Sequence, residues 1–184
     1  MKLTAIAAML LLVTGNAIAD EEFTTWRVGA SLTYDDYQGE FAEGTVNDGG
    51  SGFKAFAQYR PSSWLGLEGG FYVSPEFKGD FTPDKAGGEV EVSYQGFTFH
   101  AIGYLPSFSE RMDFFVKGGY FNFYDFTAEV VDGSSSSGGA DGLALGLGSS
   151  IDAGENLGIR LEFDWYDTPD ADLWSIGIGA EYRF

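Results

Sequence analysis

Cysteine is absent from this chain, which excludes disulfide staples, thiolate nucleophiles and cysteine-held metals. Basic side chains are scarce: ten Lys and Arg stand against 28 Asp and Glu, for a formal charge of −18. So acidic a chain offers no basic patch to nucleic acid or to an anionic membrane surface. Histidine occurs once, at His100, which removes most routes to a base-activated serine site. Apolar runs are short too. The longest, Leu3 to Val13, falls well below the roughly 20 residues of a spanning helix, and nothing downstream carries a helical period.

That first run has its own meaning. "MKLTAIAAMLLLVTGNAIAD" joins Lys2, an apolar stretch and the small-x-small triplet Ala17-Ile18-Ala19, the form of a cleavable secretory signal over residues 1–19. No Cys follows the cleavage point to accept a lipid. Residues 20–184 then make one domain's length. The sequence is 17% aromatic and holds 27 Gly, whereas disordered acidic chains are poor in aromatics. The chain is expected to fold.

Period-two alternation recurs along it and predicts eight strands, at about 24–37, 52–60, 64–74, 89–104, 112–128, 142–152, 157–167 and 173–184. The connections sort into two kinds. "RPSS", "LPSFSER" and "AGEN" are tight polar turns, while "GEFAEGTVNDGGS", "PEFKGDFTPDKAGG" and "VDGSSSSGGAD" are long, acidic and Gly-rich, with a shorter "DTPDAD". The two kinds alternate along the chain. A meander with one short-turned and one long-looped end fits an outer-membrane barrel, with short periplasmic turns and longer external loops.

The faces agree with that reading. Trp26, Val28, Ala30, Leu32 and Tyr34 oppose Arg27, Gly29, Ser31 and Thr33; Leu157, Ile159, Leu161, Phe163 and Trp165 oppose Gly158, Arg160, Glu162 and Asp164. Apolar faces with aromatic ends match a lipid band flanked by aromatic girdles, assigned to Trp26, Tyr34, Trp165, Trp174, Tyr182 and Phe184. The other faces, rich in Gly with isolated charges, suit the inside of a small closed barrel. A soluble eight-stranded barrel would reverse the two. The expected fold is therefore all-β, an eight-stranded antiparallel up-and-down transmembrane β-barrel. One stretch disobeys: in 89–104 both parities carry aromatics, so either a bulge near Gly96 switches faces or aromatics point inward. The direction of His100 stays open.

Several stretches resemble the membrane domain of the outer-membrane protein A (OmpA) family. "LGLEGGF" is similar to its Gly-x-Glu-x-Gly strand, "IGYLP" to its Gly-Tyr-Pro turn and "MDFFVKGGY" to its Asp, basic residue and glycine pair. "GIRLEFDWYD" and the closing "LWSIGIGAEYRF" are the most specific. The resemblance implies a lumen blocked by charged side chains that pair across it, with Glu68, Arg160 and Glu162 at matching positions and Lys117 where the family has a base. In that family a rearranged pairing is implied to open a small pore; here Ser150 stands where the family has a glutamate, and Ala101 or His100 where it has a lysine, two departures from the residues of that switch. It also implies a terminal strand read by the barrel-assembly machinery. With the chain ending at Phe184, a peptidoglycan-binding domain is not expected, as in barrel-only relatives.

Taken from the residues alone, charges in so narrow a lumen must be paired or they cost several kcal/mol. Arg27, Lys117, Arg160 and Arg183 face Glu68, Glu162 and Glu181, mostly towards the turn side. The expectation is a structural, largely plugged outer-membrane protein of Gram-negative bacteria, monomeric, with both mature termini periplasmic. Its partners are outer-membrane lipid and lipopolysaccharide, without nucleic acid, cofactor or metal. A narrow pore gated by the ion pairs is the alternative. A lipid-A-modifying enzyme is the weaker one, because His100 in "FTFHAIG" has no Ser or Asp at i±2 and Asp167, Asp170 and Asp172 read as solvated loop acids. The carboxylates Asp35, Asp36, Glu40, Glu43, Asp48, Asp80, Asp84 and Glu89 are assigned to the outer rim, without any EF-hand spacing.

Overall fold

The computed structural model describes residues 25–41, 44–81, 89–106, 109, 111–130, 135–168 and 171–184. The leader assigned to residues 1–19 lies outside them. Nine strand segments follow in order: β1 (Thr25–Phe41), β2 (Gly44–Arg60), β3 (Leu65–Val73), β4 (Phe77–Phe81), β5 (Glu89–Tyr104), β6 (Met112–Val130), β7 (Ser135–Asp152), β8 (Leu157–Asp167) and β9 (Ala171–Arg183). All pairings are antiparallel, and β1 pairs with β9 as well as with β2. The sheet is therefore closed, which leaves no edge of unpaired amides.

Nine segments make eight barrel positions because β3 and β4 share one. Both pair with β2 on one side and β5 on the other. Pro75 separates them, since it has no N–H for the ladder. Ser74 patches the gap: its N–H donates to the Tyr94 carbonyl at 2.9 Å and its hydroxyl accepts from the Tyr94 N–H at 2.8 Å. The interruption flips the parity, so that Glu68, Gly70 and Tyr72 are buried on β3 but Phe77 on β4.

One expectation needs correcting, and one alternative left open is decided. Most of the segments read as long loops are strand: β1 and β2 remain in register to Phe41↔Gly44, β4 lies within the third connection, and β6 and β7 pair as far as Glu129↔Ser135. Once the backbone is paired with a neighbour, Gly and acidic residues extend a ladder as well as apolar ones do, and no lipid face is needed to impose alternation. The two ends consequently differ in how far strands run, not in loop length.

The second concerns the 89–104 stretch. β5 does not switch faces: Val92, Tyr94, Thr98, His100, Ile102 and Tyr104 are all buried, while Phe97, Phe99 and Ala101 are exposed. The register shift at Gln95/Gly96 is taken up by β6, which has Tyr124 as the extra residue. Aromatics do point inward.

The outer wall carries Val28, Leu32, Leu147, Ile159, Ile176 and Ile178 among many large apolar side chains exposed by two-fifths or more. A surface of this extent would be an aggregation liability in water. Among the described residues no helix is long and apolar enough to cross a membrane; the strands do so.

Candidate functional site

Alternation turns one residue in two of each strand towards the barrel axis, and the inward set divides by level. At the turn end Arg27 contacts Glu181 at 2.9 Å and Asp113 at 3.3 Å, Arg60 contacts the same Asp113 at 2.8 Å, and Arg183 contacts Glu181 at 3.1 Å and also Asp152. The Arg60 guanidinium lies 3.6 Å from the centre of the Tyr104 ring. Ser150 donates to Glu181 at 2.7 Å.

In the middle, Arg160 is 1% exposed. It donates to Glu68 at 2.5 Å and to Gln58 at 3.0 Å, and its Nε lies 2.5 Å from Glu162. Phe56 and Phe115 flank its guanidinium with ring centres at 4.3 and 4.6 Å. Glycine makes this arrangement possible: a Cβ at Gly29 would fall 2.4 Å from Phe56 and one at Gly148 2.5 Å from Phe115. The rings pack against bare backbone beside the cation.

Just above, Lys54 sits 2.8 Å from Glu162, 3.2 Å from Glu68 and 3.6 Å from Asp164. Lys117 contacts Glu162 and lies 2.8 Å from Asp164. His100 points into this layer, with Nδ1 3.8 Å from Glu68. The network as a whole sets Arg27, Lys54, Arg60, Lys117, Arg160 and Arg183 against Glu68, Asp113, Asp152, Glu162, Asp164 and Glu181. Bases and acids balance one for one.

Above the charges the lumen changes character. Tyr37, Tyr72, Phe77, Tyr94, Phe121, Phe123 and Tyr166 form one buried cluster with Val92, Ala144 and Leu173. Its rings are 4.6 Å apart for Phe121 and Phe123 and 4.8 Å for Tyr94 and Phe123. These side chains form an apolar cap above the charged layers.

All six residues picked from sequence as lumen charges, Arg27, Glu68, Lys117, Arg160, Glu162 and Glu181, are buried in this interior. Sequence reasoning missed Lys54, Arg60, Asp113 and Gln58, and the cap. The signal for Lys54 was its shared parity with Gln58 and Arg60, obscured by Phe53 and Phe56. Asp35 belongs in the interior also, being fully buried, and not on the outer rim. Asp36 and Asp48 are half-buried, with Asp48 accepting from the Lys78 N–H at 2.7 Å. The side chains of Glu40, Glu43, Asp80, Asp84 and Glu89 lie outside the described residues. Among those described, no group of three or more acidic or His side chains is placed to hold a metal.

The six aromatics assigned to girdles face outward, fully or partly exposed. Trp26 packs on Tyr59 at 5.0 Å and Tyr182 on Phe184 at 5.1 Å at the turn end; Tyr34 and Phe163 approach Trp174 at 6.4 and 6.3 Å towards the other, where Trp165 pairs with Trp174.

A family model described as the outer membrane protein beta-barrel domain matches residues 5–184. Among solved structures the barrel is similar to Ail of Yersinia pestis (16% identity, TM-score 0.62, covering 88% of this chain and 99% of that one). It is similar also to OprG of Pseudomonas aeruginosa (12%, 0.63, 88% and 96%). Outer membrane protein W of E. coli follows (16%, 0.53, 88% and 98%). At these identities the likeness is one of fold. No curated protein matches the sequence.

Proposed function

The chain belongs to the outer membrane protein beta-barrel domain family, and from that premise we propose that it is a monomeric structural barrel whose lumen is held shut. The observation that carries this reading is Arg160. Buried at the centre, it engages Glu68, Glu162 and Gln58 from three other positions in the chain. Opening a path there means separating buried charges, which costs several kcal/mol for each partner left alone. The aromatic cap is a second seal above it. His100 faces this closed interior and lies nearest to Glu68, away from lipid, and has no catalytic task in this reading.

The aromatic pairs at Trp26 and Tyr182 mark the periplasmic interface and those at Tyr34 and Trp174 the outer one. Both mature termini are then periplasmic, Phe184 just after β9 is presented to the barrel-assembly machinery, and the strands beyond Tyr34 stand among lipopolysaccharide. Planar-bilayer recording tests the seal. The wild-type protein is expected to show no reproducible unitary current. Currents that Arg160→Ala or Glu68→Ala abolishes would establish a narrow pore instead. One feature favours that second reading: Glu68 has three bases within reach, Arg160 at 2.5 Å, Lys54 at 3.2 Å and Lys117 at 3.9 Å, so partners can be exchanged without leaving a charge alone.

A further inference from the structure

Around most of the barrel the strands stay paired far into the longer end. β1 and β2 run together to Phe41↔Gly44, β4 continues the wall between β2 and β5, and β5 pairs with β6 as far as Val90↔Val130. The β8–β9 hairpin is the exception. It turns back at Asp167↔Asp172, so β7 leaves its β8 partner at Ala144↔Tyr166 while still paired with β6 as far as Ser135. On the other flank β9 accompanies β1 up to Gly39, beyond which β1 has only Glu40 and Phe41. The wall therefore has a notch above the short hairpin. Among the described residues, Ser135–Leu143 of β7 lines it with one backbone edge unpaired.

Such an edge is a template for another strand, and proteins that keep theirs empty place Lys or Pro on it. This one reads Ser-Ser-Ser-Gly-Gly-Ala-Asp-Gly-Leu, without base or proline, and nothing lies within 4 Å of where a Cβ on Gly138 would stand. The notch also selects its occupant. At its floor Asp167 and Asp172 are directly opposite one another, a like-charge pair that is destabilising without a cation beside it. They alternate with the buried Tyr166 and Leu173 and so face outward, as does the exposed Asp141 on β7. Among the described residues no base pairs with any of the three: outside the lumen Lys78 is held by Glu91 at 2.8 Å, and Arg111 precedes β6 at the turn end. On its inner side the notch borders the apolar cap, against which Ala140 and Ala171 pack partly buried. A strand laid along β7 there turns one face to carboxylates and the other to apolar side chains.

We propose that the free edge of β7 binds an extended polypeptide segment in which Lys or Arg alternates with apolar residues, adding it to the sheet as a strand. Backbone pairing supplies the affinity and the alternate side chains the selectivity. A second copy of this chain, at a formal charge of −18, is the wrong partner for an acidic floor. The site does not depend on whether the lumen conducts.

The test uses the full chain refolded in phosphatidylcholine vesicles and a fluorescent nonapeptide of alternating Lys and Val, with binding read by anisotropy and β7 followed by amide hydrogen exchange. Binding is expected to slow exchange within Ser135–Leu143. It should be at least about tenfold weaker for a Glu-Val copy, and for a Lys-Val copy N-methylated throughout, which keeps the charges but has no amide donors. Asp167→Asn combined with Asp172→Asn should weaken it about tenfold as well. Should that pair fail to fold, Asp141→Asn alone is expected to weaken it about threefold. Equal binding of the methylated copy would reduce the attraction to charge alone and overturn the site. So would binding that leaves β7 exchange unchanged, an unaltered affinity in the aspartate variants, or no binding of the Lys-Val peptide.

Discussion

The two halves of this lumen solve one packing problem by different means. Near the turns the tube is filled with charge, six bases set against six acids. Towards the other end it is filled with rings, Tyr72, Tyr94, Phe121, Phe123 and Tyr166 among them. The charged half must satisfy every donor and acceptor with a particular partner, and a loss leaves an opposite charge stranded in low dielectric. The ring half needs only volume and tolerable geometry. One filling is brittle and specific, whereas the other is adaptable.

Breaking the brittle half should have the largest effect. Arg160→Ala leaves Glu68 and Glu162 to share Lys54 and Lys117, one buried positive charge short of balance, and is expected to destabilise the barrel by about 3–5 kcal/mol, measured as the shift of urea-induced unfolding in lipid vesicles. Phe123→Ala opens a cavity in the cap, where four rings lie around Phe123 within 5.7 Å. A loss of about 3 kcal/mol should follow in the same assay. A smaller loss than Phe123→Ala on removing Arg160 would reverse the comparison. The smallest effect is expected at Tyr94→Phe, which keeps the ring and its packing on Phe123 at 4.8 Å and gives up one hydroxyl that faces Tyr72. Its stability in the same assay should stay within about 1 kcal/mol of wild type.

Much of this was legible residue by residue. In β1, β8 and β9 the outward positions meet lipid and the inward ones meet charge, so polarity alone separates the faces; Arg27, Arg160, Glu162 and Glu181 were found in that way. In β5 the rule fails because Phe97 and Phe99 face out while Tyr94 and Tyr104 face in. Hydropathy cannot say which side of a wall a ring takes when both sides are apolar. Lys54 was hidden for the same reason, with Phe53 outward and Phe56 inward on either side of it. Asp35 was misplaced because β1 continues as strand seven residues beyond Tyr34, to Phe41, through acidic sequence that reads as loop.

The sequence by itself determined the closed antiparallel barrel and its lipid face. Both follow from local facts: a side-chain period of two, and the need to satisfy every backbone amide where no water reaches. Only the tertiary structure decided which acid meets which base, how far the strands run past the aromatic belt, and where the charges give way to rings. Those depend on the stagger that brings Arg160 of β8 level with Glu68 of β3 and Lys54 of β2. A residue's partners across a tube are set by the register of every strand between them, and no stretch of neighbouring sequence carries that sum.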